Sequence, residues 1–197
     1  VLGGFKICQS GLGTKIHKAS APKLGIMFEQ VIETLLTVLV QNKDAWMTGN
    51  NGDIFVPDTF GLKDLAEPQE LDINILDLKE KGQTEYSKYQ TDIKELLEPY
   101  AFSRVHEMFE VEVFDLTILL WTQIFYSLVY RYDISTSSED RKKIINSLKP
   151  LYFARSLSFN YHTWKYNVKY SEMEIRKSAL GFASQKYYLW GLYSKGN

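Results

Sequence analysis

Between Leu116 and Tyr130 the chain carries no charged side chain, and this run constrains the fold more than any other stretch. It is shorter than the roughly 20 mainly apolar residues of a bilayer span, and Thr117, Thr122, Gln123 and Ser127 interrupt it. An uncharged helix of that length must be covered, by the rest of the chain or by a second subunit. Glu107, Glu110, Glu112 and Asp115 lie toward its start and Arg131 at its end, as the helix macrodipole favours. Residues 107–132 therefore predict a central core helix, with Leu116, Leu119, Leu120, Ile124 and Leu128 buried together with Trp190.

Other stretches also read as helices. Ser20-Ala21-Pro22 suits a helix start, and Leu24, Met27, Phe28, Val31, Ile32 and Leu35 recur at helical spacing until about residues 43–46. A turn cluster at residues 49–53 follows, then a loose stretch over 54–71 broken by Pro57, Gly61 and Pro68, read as a surface excursion. Residues 72–98 predict a helix weakened at Gly82. Its alternating charges and tyrosines between Glu80 and Glu95 predict an exposed arm.

Thr136-Ser137-Ser138-Glu139 fits a capping box that opens a helix to about Ser147, with a kink if it passes Pro150. Ser171-Glu172-Met173-Glu174 fits another, opening the last helix. Between them, residues 158–169 hold Phe159, Tyr161, Trp164 and Tyr166 interleaved with Lys165 and Lys169. Packing between helices is the first reading of these aromatics, and stacking on bases or sugars the second.

The 23 basic and 24 acidic side chains nearly cancel, so no overall field draws the chain to nucleic acid or an anionic membrane. The single cysteine, Cys8, excludes an internal disulfide and suits a reducing cytoplasm, as a small buried apolar residue. No basic segment followed by an apolar one marks a secretory leader.

The opening differs from the helical remainder. Phe5, Ile7 and Gln9 alternate with Lys6, Cys8 and Ser10 and run into Gly11-Leu12-Gly13, which predicts one strand and a turn. A strand needs a partner for its backbone groups. No later stretch reads as a convincing strand, so the expected partner is a larger sheet upstream of Val1.

Three groups of residues carry a family resemblance: Gly3-Gly4-Phe5-Lys6-Ile7-Cys8-Gln9, Leu12-Gly13-x-Lys15-x-His17, and Leu24-Gly25-x-Met27-Phe28-x-Gln30-Val31-Ile32-x-Thr34-Leu35. Together they resemble the back half of a nucleotide-sugar glycosyltransferase of the GT-A fold, of the retaining glucosyl-3-phosphoglycerate synthase and mannosylglycerate synthase group. Leu148-Lys149-Pro150-Leu151-Tyr152-Phe153-Ala154-Arg155 resembles a segment near the C-terminus of such chains, with Ala154 where they have glycine.

The resemblance implies a mainly α chain. Residues 1–22 would be the last strand and metal-site loop of the α/β catalytic domain, and residues 23–197 a helical C-terminal domain. It also implies transfer of a sugar from a nucleotide-diphosphate sugar to a small acceptor, with helices that cover the acceptor side or form a homo-oligomer. His17 would help an Asp-x-Asp motif hold a manganese or magnesium ion against the diphosphate. Apart from the resemblance, Lys15, two residues before it, reads first as a solvated loop lysine and second as a point charge within reach of a phosphate. No Asp-x-Asp occurs in these residues, and Ala19 stands where the phosphoglycerate-using relatives carry asparagine.

Taken alone, a single histidine is more often structural than a ligand. His106 and Glu110, one helical turn apart, lack a third ligand and read as a solvated face. The competing function is a non-catalytic helical module for protein interaction or oligomerisation, using the uncharged run and the aromatic connection.

Overall fold

The computed structural model describes residues 9–11, 24–47, 59–61 and 74–195. These residues are mainly helical. In chain order they form β1 (Gln9–Gly11), α1 (Leu24–Gln41), α2 (Lys43–Met47), β2 (Thr59–Gly61), α3 (Ile75–Leu96), α4 (Pro99–Glu110), α5 (Ile118–Ile134), α6 (Ser138–Thr163), α7 (Val168–Ser184) and α8 (Lys186–Lys195).

The strand partner lies within the chain. Gln9 pairs with Thr59, Ser10 with Phe60 and Gly11 with Gly61, in parallel. The expectation that no later stretch supplies a strand is therefore corrected, because β2 falls inside the region read as a surface excursion. Three residues between Pro57 and Pro68 are too short a run to show a period of two.

The uncharged run forms the centre, as its composition requires. α5 touches α1, α3, α6, α7 and α8. Ile124, Leu128 and Val129 on it, and Leu116 just before it, are buried against residues such as Ile93 and Leu148. Leu120 packs partly against this core, and Trp190 is half-buried. Leu119, expected inside, is 49% exposed. A single helix has one outermost side even when its sequence carries no charge.

The acidic lead-in to this run does not belong to the same helix. α4 ends at Glu110, and Glu112 takes a left-handed backbone with φ 56°, a costly conformation for a residue with a side chain. Lys79 holds the Glu112 carboxylate at 2.6 Å. Phe114 and Leu116 then turn inward, and the Thr117 side chain caps α5 by accepting from the Leu120 amide at 3.3 Å. The carbonyl of Leu116 accepts from Arg155 Nη1 at 2.9 Å, so the break gives α6 a point of attachment.

The exposed arm expected at residues 80–95 is also corrected. α3 runs without interruption through Gly82 and makes with α6 the most extensive helix contact among the described elements. Tyr86 and Ile93 are buried. Gly82 permits the approach, since a Cβ there would stand 3.2 Å from Phe153 Cβ. The alternating charges line the outer side of α3, while spaced apolar residues face inward.

α6 continues through Pro150, which is buried near its middle. A proline inside a helix costs about 3 kcal/mol or more, a penalty that packing against α1, α3 and α5 offsets. Its cap is Ser137, which accepts from the Asp140 amide at 3.0 Å, one residue later than the expected box. The last helical region begins earlier than expected, capped by Asn167 accepting from the Tyr170 amide at 3.1 Å, and it breaks into α7 and α8. Ser171 lies within α7 and caps nothing.

Candidate functional site

Lys15 and His17, the candidate phosphate and metal contacts, lie outside the described residues, as does Cys8. What is described is their frame, with β1 ending at Gly11 and α1 beginning at Leu24.

α1 is the first described helix after His17 in sequence. Phe28 and Leu36 are buried on its inner side, against α5 and α6. Met27, Val31, Leu35 and Val38 are exposed, and their spacing puts them on one outer stripe. Both sides of α1 thus carry apolar side chains; the spacing predicts burial on most sides, and this outer stripe is instead exposed.

The two segments that carried the resemblance meet here. Phe28 of α1 packs on Tyr152 of α6, with ring centroids 5.2 Å apart. Beside that pair, Lys149 Nζ lies 3.8 Å from Glu29 Oε1 and 3.4 Å from Glu85 Oε2, tying α1, α3 and α6 together. Burial pushes the Glu85 carboxyl up, and the hydrogen bond from Lys88 with the charge of Lys149 outweighs it, so the group titrates below its ordinary value.

The rest of the second segment is structural. Leu148, Leu151, Phe153 and Ala154 are buried, and Arg155 reaches Leu116 Oand Ser178 Oγ at 2.9 and 3.2 Å. Burial draws the Arg155 pKa down and Glu174 opposes that. One guanidinium fork thereby joins the α4–α5 connection to α7, a role that spacing alone did not indicate.

His106 and Glu110 do approach, Nδ1 to Oε1 at 3.9 Å. Yet His106 Nδ1 already meets the Tyr86 hydroxyl at 3.1 Å, and the ring stacks on Phe102. Burial, with a smaller contribution from Glu110, pushes the Tyr86 hydroxyl up to about 12, so it stays protonated and able to donate. His162 Nε2 pairs with Asp115 at 3.1 Å. Among the described residues no group of three His, Cys, Asp or Glu side chains is placed to hold a metal. None of their helices is long and apolar enough to cross a membrane.

The aromatic connection departs most from expectation. Tyr161, Trp164 and Tyr166 are 72%, 68% and 58% exposed, so they are not packed between helices. The charge order also divides the chain: residues 141–197 carry eleven basic and two acidic side chains, against twelve basic and twenty-two acidic before them. The near-zero total conceals that division. No family model, curated protein or solved structure matches this chain.

Proposed function

We propose that these residues are the helical C-terminal portion of a metal-dependent, retaining glycosyltransferase of GT-A type, which moves a sugar from a nucleotide-diphosphate sugar to a small acceptor. The observation that carries the reading is the contact between its two similar segments: Phe28 and Tyr152, distant in sequence, pack at 5.2 Å beside the Glu29–Lys149 pair. Segments that are similar to one family and also touch fit a single inherited unit better than two chance matches.

The parallel pairing of β1 with β2 supports the same reading. Parallel strands belong to sheets covered on both faces, and three residues on two strands are too few to stand alone. In this reading the outer stripe of α1 faces the α/β half.

Within that enzyme His17 is a ligand of a manganese or magnesium ion and Lys15 a phosphate contact. The ion supplies positive charge where the leaving diphosphate gathers negative charge. Lys15 adds a point charge that orients the diphosphate. The test is the coding sequence upstream of Val1: a nucleotide-binding α/β half with Asp-x-Asp supports the proposal, and an unrelated domain overturns it.

A second reading, a non-catalytic module for interaction or oligomerisation, is favoured by the exposed stripe Met27, Val31, Leu35 and Val38. Its contact surface would be α1, because α5 is enclosed by other helices. Sedimentation distinguishes it: a dimer of residues 1–197 that Val31→Glu converts to monomer supports the module.

A further inference from the structure

We propose that the corner between α6 and α7 is a docking surface for an anionic lipid bilayer. Independently of the transferase reading, three properties converge on this corner.

The first is exposed aromatic surface. Trp164 and Tyr166 project at the turn, 68% and 58% exposed, and Tyr166 stacks on Tyr170 of α7 at 4.1 Å. Tryptophan and tyrosine favour the level of lipid headgroups, where an apolar ring and a polar edge are both accommodated.

The second is uncompensated positive charge. Lys165 lies 5.1 Å from the Trp164 ring centroid, and Lys169 and Arg176 are exposed. None of the three has an ion pair among the described residues. They belong to the C-terminal stretch with eleven basic and two acidic side chains; both acids, Glu172 and Glu174, lie on α7, and Glu174 is paired with Lys177.

The third is aliphatic surface between the cations. Lys169, Met173, Arg176 and Leu180 follow one another on the outer side of α7, and Met173 and Leu180 are 42% and 57% exposed. A cleft of about 550 Å³ opens among Asn167, Lys169, Tyr170, Glu172, Met173 and Arg176, wide enough for a headgroup, with two cations on its wall against one carboxylate. Cations beside rings suit a polynucleotide too. Exposed Met173 and Leu180 on the same side as Lys169 and Arg176 give nothing to a phosphate backbone and gain from acyl chains, which favours the bilayer.

The test is co-sedimentation of the chain with vesicles of phosphatidylcholine, alone or containing phosphatidylglycerol. Binding to the anionic vesicles only, weakened by salt, is expected. Each cation near such a surface changes partitioning about fivefold, so Lys169→Ala with Arg176→Ala should lower it about 25-fold. The melting temperature should not move, since both side chains are exposed. Tryptophan emission should shift to the blue on binding, and Trp164→Phe should abolish the shift. Absence of binding, equal binding to neutral vesicles, an unaffected double variant, or tighter binding to a single-stranded oligonucleotide would each overturn the proposal.

Discussion

Phe28 on α1 and Tyr152 on α6 pack with ring centroids 5.2 Å apart and planes inclined by 47°. Phe28 is buried while Tyr152 stays 38% exposed, so the pair closes the edge of the core at the junction of two helices. Phe28→Ala should cost about 3–5 kcal/mol, the range for emptying a buried aromatic site. A double-mutant cycle with Tyr152→Ala should return a coupling of about 0.5–1.5 kcal/mol in denaturant unfolding. Strict additivity would mean that the two rings do not hold these helices together.

Gly181 lets α7 approach α5. A Cβ at that position would stand 2.7 Å from Ile118 Cγ1, closer than atoms tolerate. Ile118 is β-branched and stiff in a helix, so it cannot swing aside cheaply. Alanine normally gains about 1 kcal/mol over glycine inside a helix. Here Gly181→Ala should instead destabilise, by about 1–3 kcal/mol as in other overpacked cores. A raised melting temperature would show that α7 can move away at no cost.

The sequence disclosed the helical class, the central run and most helix positions, because charge-free and 3.6-periodic stretches have few ways to be buried. Helix ends were less legible: the caps are Ser137 and Asn167, one and four residues from the positions Thr136 and Ser171 that the boxes indicate. The break at Glu112 left no sequence mark, since its φ of 56° is imposed by tertiary attachments at Lys79 and Arg155. The arm at residues 80–95 was misread because alternating charges hide an apolar side that needs Gly82 to fit. The exposed aromatics were misjudged from composition, which does not tell a packed ring from a projecting one. Lys15 and His17 lie outside the described residues, so the candidate site itself rests on the resemblance.

The surroundings of Glu85, where burial is outweighed by the Lys88 hydrogen bond and the Lys149 charge, predict a pH effect. Glu85 titrates below its ordinary value of 4.5 in the folded protein. A lowered folded-state value means that its ionised form stabilises the fold above that pH, and that this contribution disappears as pH falls through the folded value. Glu85→Gln should lower stability at neutral pH by up to about 1 kcal/mol, and the two proteins' unfolding curves should converge in acid. An equal difference at every pH would assign the effect to packing.

Two leucines of the uncharged run should behave oppositely. Leu128 is fully buried and Leu119 is 49% exposed. Leu128→Ala should cost about 2–5 kcal/mol, whereas Leu119→Asp should stay within about 0.5 kcal/mol. Thermal unfolding of both variants checks the orientation of α5, and a severe loss at Leu119 would show that its outer side is covered.

The transferase proposal depends on His17, and the most direct measurement is sugar-nucleotide turnover against manganese concentration, with melting temperature, for the complete enzyme and its His17→Ala variant. Under that proposal His17 is a cation ligand that contributes to the charge stabilisation of the leaving diphosphate. Its loss should lower turnover by about a hundredfold or more, the scale for removing one stabiliser from a preorganised site, with partial recovery at high manganese and an unchanged melting temperature. Normal activity in the variant, or a lower melting temperature with unaltered manganese dependence, would contradict the account.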